Sequence, residues 1–430
     1  MPESRRRGRP RKGKAVERHP PRDITLQELR DGLAEAGEEF PIDDEEFRLW
    51  LKKRAEKELW FFSRWILGND LLGKGRFHRD EVCPFLTNYS TSRSKLLMLP
   101  MTHLKTTVAS RSIPLHLIVQ PAASNIYFPG MKGVNSRTLL ASENELKSKE
   151  NLSYVRAHLE SNELLWWCWP EVVWENPKDA KRWSDAQLEV PRNAIWAEAT
   201  VGAVGIKSGF IGKYFDLIIA DDIAAQEASL SPPTMERARK WRRAARTRFY
   251  DKSKGTGIFI GIGTHWPSDN DIYVEWKSEP TVEVMIRSII EMDEVTKRER
   301  PLWPEQNSME NIEKLRLSTD PQEWTCWYMN KPSNRGYTAL NWDDLRSYSV
   351  VRIEDHDVLL FEDSRMDERI AIRQQTIARN LGFVVGGMAY SRENGRVRSK
   401  PPQGMSQEYF DYFRNKYPEM IPKDESETNN

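Results

Sequence analysis

Apolar and polar residues alternate along the chain with two different periods. Over residues 44–72 the apolar positions Phe47, Trp50, Leu51, Leu59, Phe62, Trp65 and Ile66 recur at helical spacing, so one face packs on a core. Short apolar runs then alternate with helix-like stretches. Residues 95–99 read as a buried strand, 106–119 as a helix bent at Pro114, and 137–141 as the next strand. Ser142 with Glu145 three positions on makes a capping box, which opens another helix. Further strands are expected at 194–199, 215–220 and 257–262. Strands separated by helical patterns need long crossovers, so the fold class is α/β, a mainly parallel sheet flanked by helices, with a helical N-terminal cap over 23–75. The chain shows no internal repeat.

Composition narrows this picture. At 430 residues the chain has ample length to bury a core, and Lys plus Arg at 65 against Asp plus Glu at 64 excludes a uniformly basic coat for nucleic acid. The charge is uneven, however: residues 1–22 carry nine basic side chains against Glu3 and Glu17, a net +7. With Gly, Pro and Arg mixed and little apolar content, 1–22 is expected to be a disordered basic arm. Cys83, Cys168 and Cys326 lie far apart without metal-ligand spacing, which fits a reducing compartment. No run approaches the roughly 18 apolar residues that span a bilayer, so a soluble protein is expected.

The chemistry concentrates at three strand ends. Leu99-Pro100-Met101-Thr102-His103-Leu104-Lys105-Thr106-Thr107 joins the first strand to the following helix and looks like a degenerate phosphate-binding loop. Such a loop needs backbone N–H groups at a helix start, a lysine for the β/γ-phosphates and a hydroxyl for Mg²⁺; Lys105 and Thr106 supply the last two. Leu99 and Leu104 stand where the consensus has glycine. In Tyr214-Phe215-Asp216-Leu217-Ile218-Ile219-Ala220-Asp221-Asp222 an apolar strand ends in two carboxylates, Asp221 placed to hold Mg²⁺ and Asp222 to polarise the attacking water. Gly257-Ile258-Phe259-Ile260-Gly261-Ile262-Gly263-Thr264-His265-Trp266 ends in Thr264 and His265, which would report the γ-phosphate. Each piece alone also reads as an ordinary strand and turn.

The order of these three strand ends resembles the ATPase portion of tailed-phage terminase large subunits, over residues 45–350. His103-Leu104-Lys105-Thr106 is similar to a variant loop of that family in which Leu replaces the last glycine. Phe77-His78-Arg79 resembles the family's segment before the loop, near which adenine binds. Residues 137–142, the glycine-bearing stretch 201–212, and Trp327-Tyr328-Met329-Asn330-Lys331-Pro332 resemble further landmarks. The resemblance implies a P-loop NTPase of the ASCE type over 76–335, with ATP and Mg²⁺ as ligands. It implies nucleotide contacts from His78, Thr102, His103, Leu104, Lys105, Thr106 and Thr107, metal ligands Thr106 and Asp221, and catalytic roles for Asp222, Thr264 and His265. It also implies ATP-driven translocation of double-stranded viral DNA into a procapsid in the host cytoplasm. The partners would be a portal protein and a terminase small subunit, the working form a homo-oligomeric ring. Where many members carry Arg after the loop proline this chain has Met101, so Lys213 or Lys207 would have to bring the missing charge, if either is more than a solvated loop lysine.

DNA contacts are expected from two places. One is the helical stretch 234–250, where Arg239, Lys240, Arg242, Arg243 and Arg246 flank an apolar stripe, a pattern shared with any solvated amphipathic helix. The other is Arg7-Gly8-Arg9-Pro10, which resembles the core of an AT-hook. Residues 336–430 are acid-rich, yet the nuclease half of a terminase is not recognisable in them, and 351–430 read as a charged helical region with a polar tail; residues 358–361 could be a strand. A non-hydrolysing DNA-binding protein descended from such an ATPase, and a helicase-like ATPase, are the alternatives.

Overall fold

The apolar runs line up edge to edge. A computed structural model describes residues 23–333 except 124, 126, 129, 210–211, 250–255, 269 and 294, together with the backbone of strands 348–353, 356–361, 392–393 and 396–397. Seven strands, β1 (Ser94–Met98), β2 (Thr138–Ser142), β3 (Gln187–Leu188), β4 (Val201–Gly205), β5 (Leu217–Asp221), β6 (Ile258–Gly263) and β7 (Glu283–Ile286), form one sheet in the order β3-β4-β2-β5-β6-β1-β7. All neighbours are parallel except the short edge strand β3. Register pairs Ser142 with Asp221, Asp221 with Ile262, and Met98 with Gly263, so the carboxyl ends of four strands finish side by side.

Period-two alternation sends side chains into two cores. Leu97, Leu140, Leu217, Ile219, Ile258, Ile260 and Ile262 pack against the N-terminal helices and the segments after β1 and β2. Leu96, Met98, Leu139, Ile218, Ala220 and Phe259 pack against Gln226–Leu230, Pro232–Ala245 and Ile272–Lys277. The β1-to-β2 crossover runs one way on the first face, and those from β5 to β6 and β6 to β7 run the opposite way on the second. Opposite direction on the opposite face preserves a single handedness, as parallel sheets require. The covering face therefore changes at two gaps, between β2 and β5 and between β6 and β1, and in open α/β sheets such crevices are where ligands bind.

Gly261 and Gly263 make this packing possible, because a Cβ at either would overlap the ring of Trp276 or Tyr273 from helix Ile272–Lys277.

Several expected elements differ. The helical stretch 44–72 is broken into Asp44–Lys57, Leu59–Phe61, a π-helical turn Phe62–Ile66 and a 3₁₀ turn Asp70–Gly73. The helix expected over 106–119 is continuous from 105 to 118, and just before Pro114 its hydrogen bonding changes from a π-helical segment Thr107–Ser112 to the α-helix Ile113–Ile118. Ser142 ends β2 rather than capping a helix; Asn144 is the cap, accepting from the Leu146 N–H at 2.7 Å. Residues 194–199 are not a strand: Trp196 and Ala194 are instead tied to Asn135, and the strand begins at Val201.

The chain divides into two compact units, Met1–Arg335 and Gly336–Asn430. In the second unit the described elements are strands, Tyr348–Ile353 antiparallel to His356–Phe361, which contains the strand expected at 358–361, and Arg392–Glu393 antiparallel to Arg396–Val397; the rest of the region expected to be helical lies outside the described residues. The arm 1–22, with Arg7 and Arg9, lies outside the described residues. Among those described, no helix is long and apolar enough to cross a membrane.

Candidate active site

The loop after β1 adopts a glycine-like path without glycine. Thr102 and Leu104 both lie in the left-handed region, with φ of 68° and 58°. For an L-residue that conformation costs about 1–2 kcal/mol, so the surroundings must impose it. They do so from three sides. The Met101 N–H donates to the Trp327 carbonyl at 3.0 Å, the His103 N–H to Pro100 at 3.3 Å, and the Val108 N–H to Leu104 at 3.0 Å. Behind the loop, His78 Nε2 lies 3.1 Å from the His103 carbonyl and His103 Nδ1 3.0 Å from that of Met101, so each nitrogen donates. Both rings meet Trp303, at centroid separations of 4.6 and 5.9 Å. Burial lowers both imidazoles below their ordinary range, His78 to about 4, keeping them neutral braces. Thr102 is exposed, its hydroxyl donating to the Met101 carbonyl at 2.5 Å.

Lys105 and Thr106 then point at the acidic strand end. The Thr106 hydroxyl donates to Asp221 Oδ1 at 3.3 Å, while Ser110 Oγ and Asn151 Nδ2 donate to Oδ2 at 2.8 and 3.1 Å. Ser110 faces this way from the π-helical segment, which places its hydroxyl beside the sheet edge. Asp222 turns into the left-handed region (φ 46°), held by its N–H to the Ile262 carbonyl at 2.9 Å and by its own carbonyl accepting from Glu143 N at 3.2 Å. Its Oδ2 receives Lys147 Nζ at 2.6 Å, and the same nitrogen is 3.8 Å from Asp221 Oδ1. Asp222 Oδ1 is buried without a hydrogen-bond partner.

The two carboxylates are set apart electrostatically. Burial and the adjacent Asp222 push Asp221 up, against Lys147, Ser110 and Lys105. Burial also raises Asp222, but Lys105 and Lys147, with the Thr264 amide, outweigh it and hold this group below the usual carboxylate range. Burial lowers Lys105 despite Asp222 and Asp221; Lys147 is also penalised by burial, yet the two acids prevail and raise it. At β6, Thr264 and His265 are buried, and His265 Nδ1 is 2.5 Å from Asp271 Oδ2, the carboxylate that caps helix Ile272–Lys277.

Lys105, Thr106, Asp221 and Asp222 thus meet, with Thr264 reaching them through its backbone. Thr107 starts the π-helical segment, while His78, His103 and Leu104 shape the loop from behind. Lys147, Asn151 and Ser110 were not foreseen. Lys147 and Asn151 lie four apart on Glu145–Ser161 and so share a face, but only the sheet order brings that helix to the acids. Among the described residues no three His, Cys, Asp or Glu side chains cluster as a metal site. A hydroxyl, one carboxylate and an orphaned carboxylate oxygen nevertheless suit Mg²⁺, which keeps several waters and leans on substrate phosphates.

The arginine row fares differently. Arg239 is buried, donating to Glu275 at 2.9 Å and to Asn270, and Arg242, 1% exposed, pairs with Glu279. Arg246 pairs with Glu279 too, and Arg243, the exposed member, with Glu236 at 3.1 Å. Arg239, Arg242 and Arg246 tie Pro232–Ala245 to helix Ile272–Lys277 and the turn after it, whereas Arg243 pairs within its own helix and Lys240, the lysine of the expected row, is exposed. Lys207 pairs with Glu227 at 2.7 Å, and Lys213 is exposed.

No protein-family model matches the sequence, and no curated protein matches it at a significant level.

Proposed function

We propose that residues 76–335 form an ATP-hydrolysing P-loop motor that drives double-stranded viral DNA into a procapsid. The observation that carries this reading is the junction of Thr106 with Asp221 at 3.3 Å beside buried Lys105, at the sheet edge where the covering face changes. Support also comes from the strand that leads into Thr264 lying between the loop strand and the acidic strand. Thr106 and Asp221 would hold Mg²⁺, which when bound supplies positive charge to the phosphates. Lys105 binds the β/γ-phosphates. Asp222, ionised at neutral pH, takes the proton of the attacking water as its oxygen bonds the γ-phosphorus and the bridging oxygen departs on ADP. Thr264 and His265, the latter tied through Asp271 to helix Ile272–Lys277, pass loss of the γ-phosphate to the second face of the sheet. In the working state we place the chain as a homo-oligomeric ring on the portal protein in the host cytoplasm, loaded by a terminase small subunit.

Lys105→Ala tests the site. Loss of fluorescent-ATP binding and of DNA-stimulated phosphate release, with an unchanged circular-dichroism spectrum, is expected; unchanged turnover in the pure variant would sink the assignment. A non-hydrolysing DNA-binding protein is the second reading, because Lys147 already neutralises the acids that catalysis needs. It predicts DNA binding by the wild type with no phosphate release, even with portal present.

A further inference from the structure

The position of Lys147 carries more than a neutral pairing. Its Nζ sits 2.6 Å from Asp222 and 3.8 Å from Asp221, the place between two carboxylates that a cation would take. The Lys147 side chain is 38% exposed, whereas Asp221 is buried and the Asp222 side chain only 14% exposed, so a flexible four-carbon stem reaches in from the rim. Asn151, one turn further along the same helix, holds Asp221 without a charge, so the helix stays docked whether Lys147 is in or out. While Lys147 pairs with Oδ2 its charge also makes the Asp222 carboxylate a weaker base, even though Oδ1 has no partner. Of the two loop lysines that could bring the charge Met101 does not supply, Lys207 is already paired with Glu227.

We propose that Lys147 is a two-position charge: in the nucleotide-free protein it stands in for the metal ion between Asp221 and Asp222, and with nucleotide bound it moves to the γ-phosphate. The exchange restores the full basicity of Asp222 when a triphosphate is present to attract the lysine. Unlike a charge from a neighbouring subunit, it would operate within one chain. This inference rests on the ATPase reading of the site.

The test uses the full chain with Lys147→Met, which keeps the stem and removes the charge, and Lys147→Arg. Mn²⁺ binding without nucleotide, measured by electron paramagnetic resonance, should tighten about tenfold or more in Lys147→Met, because the competing cation is gone. The preference for fluorescent ATP over ADP should fall by about tenfold in the same variant and be largely kept in Lys147→Arg. A lysine that only neutralises the acids would leave the ATP-to-ADP ratio within about twofold of wild type, and one that never occupies the metal position would leave Mn²⁺ affinity unchanged; either result overturns the proposal. If Lys147→Met does not fold, Lys147→Gln, which retains a donor to Asp222, takes its place in both measurements. Absence of ATP binding by the wild type would instead remove the ATPase reading itself. Binding by the wild type with an unmoved ratio would remove this inference alone.

Discussion

Strands β2 and β5 carry buried charge at both ends, and the two ends treat it differently. At the amino end, Arg137 donates to Asp216 through its backbone N–H and Nε, both at 3.0 Å, and through a terminal nitrogen at 3.2 Å. Lys132 reaches the same carboxylate at 2.9 Å, and the Arg137 guanidinium lies over the Trp196 ring. At the carboxyl end, Asp222 keeps one buried oxygen without a partner, three non-glycine residues are held in left-handed conformations, and a rim lysine fills the gap between two acids. Satisfied charge of the first kind ties strands together. Partly satisfied charge, with backbone strain beside it, is characteristic of a binding centre.

The largest expected effect falls on the closed end. Arg137→Met leaves Asp216 facing one lysine across a desolvated junction, and should lower unfolding free energy by about 3 kcal/mol in denaturant titrations. Nucleotide affinity of the folded fraction should stay within about twofold; a larger loss would mean that the two ends are not separable.

Acid should distinguish the ends next. His78 braces the loop with a folded-state pKa of about 4, below its unfolded value near 6.5, so burial keeps it neutral. Its contribution is therefore complete above about pH 6.5 and is lost as pH falls toward 4, by roughly 3 kcal/mol at the limit. Nucleotide affinity should weaken over that window, and His78→Phe, which cannot protonate, should flatten the weakening. An unchanged pH profile in His78→Phe would show that the brace does not govern the loop.

The smallest effect isolates the strain. Leu104→Ala and Leu104→Gly both remove the side chain, but only glycine accepts a φ of 58° without penalty. Leu104→Gly should therefore be the more stable of the two by about 1 kcal/mol. Equal stabilities would mean that the loop relaxes in solution and that the open end is not strained.

Most of the sheet was legible in the sequence. Buried parallel strands are short apolar runs, and β1, β2, β5 and β6 fall within a residue or two of where patterning put them. β7 went unnoticed because Glu283–Ile286 is only partly buried and has no distinctive run of its own. The expected strand at 194–199 failed for the opposite reason: its apolar run is real, but Trp196 and Ala194 are claimed by Asn135. The arginines of Pro232–Ala245 show the limit of reading charge along one helix. Glu275 and Glu279, which pair with Arg239, Arg242 and Arg246, lie more than thirty residues away.

By itself the sequence determined which residue types stand at the ends of β1, β5 and β6, because local patterning sets where each strand stops and which polar groups come next. Only the tertiary structure decided which ends become neighbours. That choice brought Lys147, Asn151 and Ser110 to the acids and Trp303 to the loop histidines, and let non-glycine residues hold a glycine's conformation. The physical reason is that strand order, and the desolvation and ion pairing it creates, depend on contacts between segments far apart in the chain.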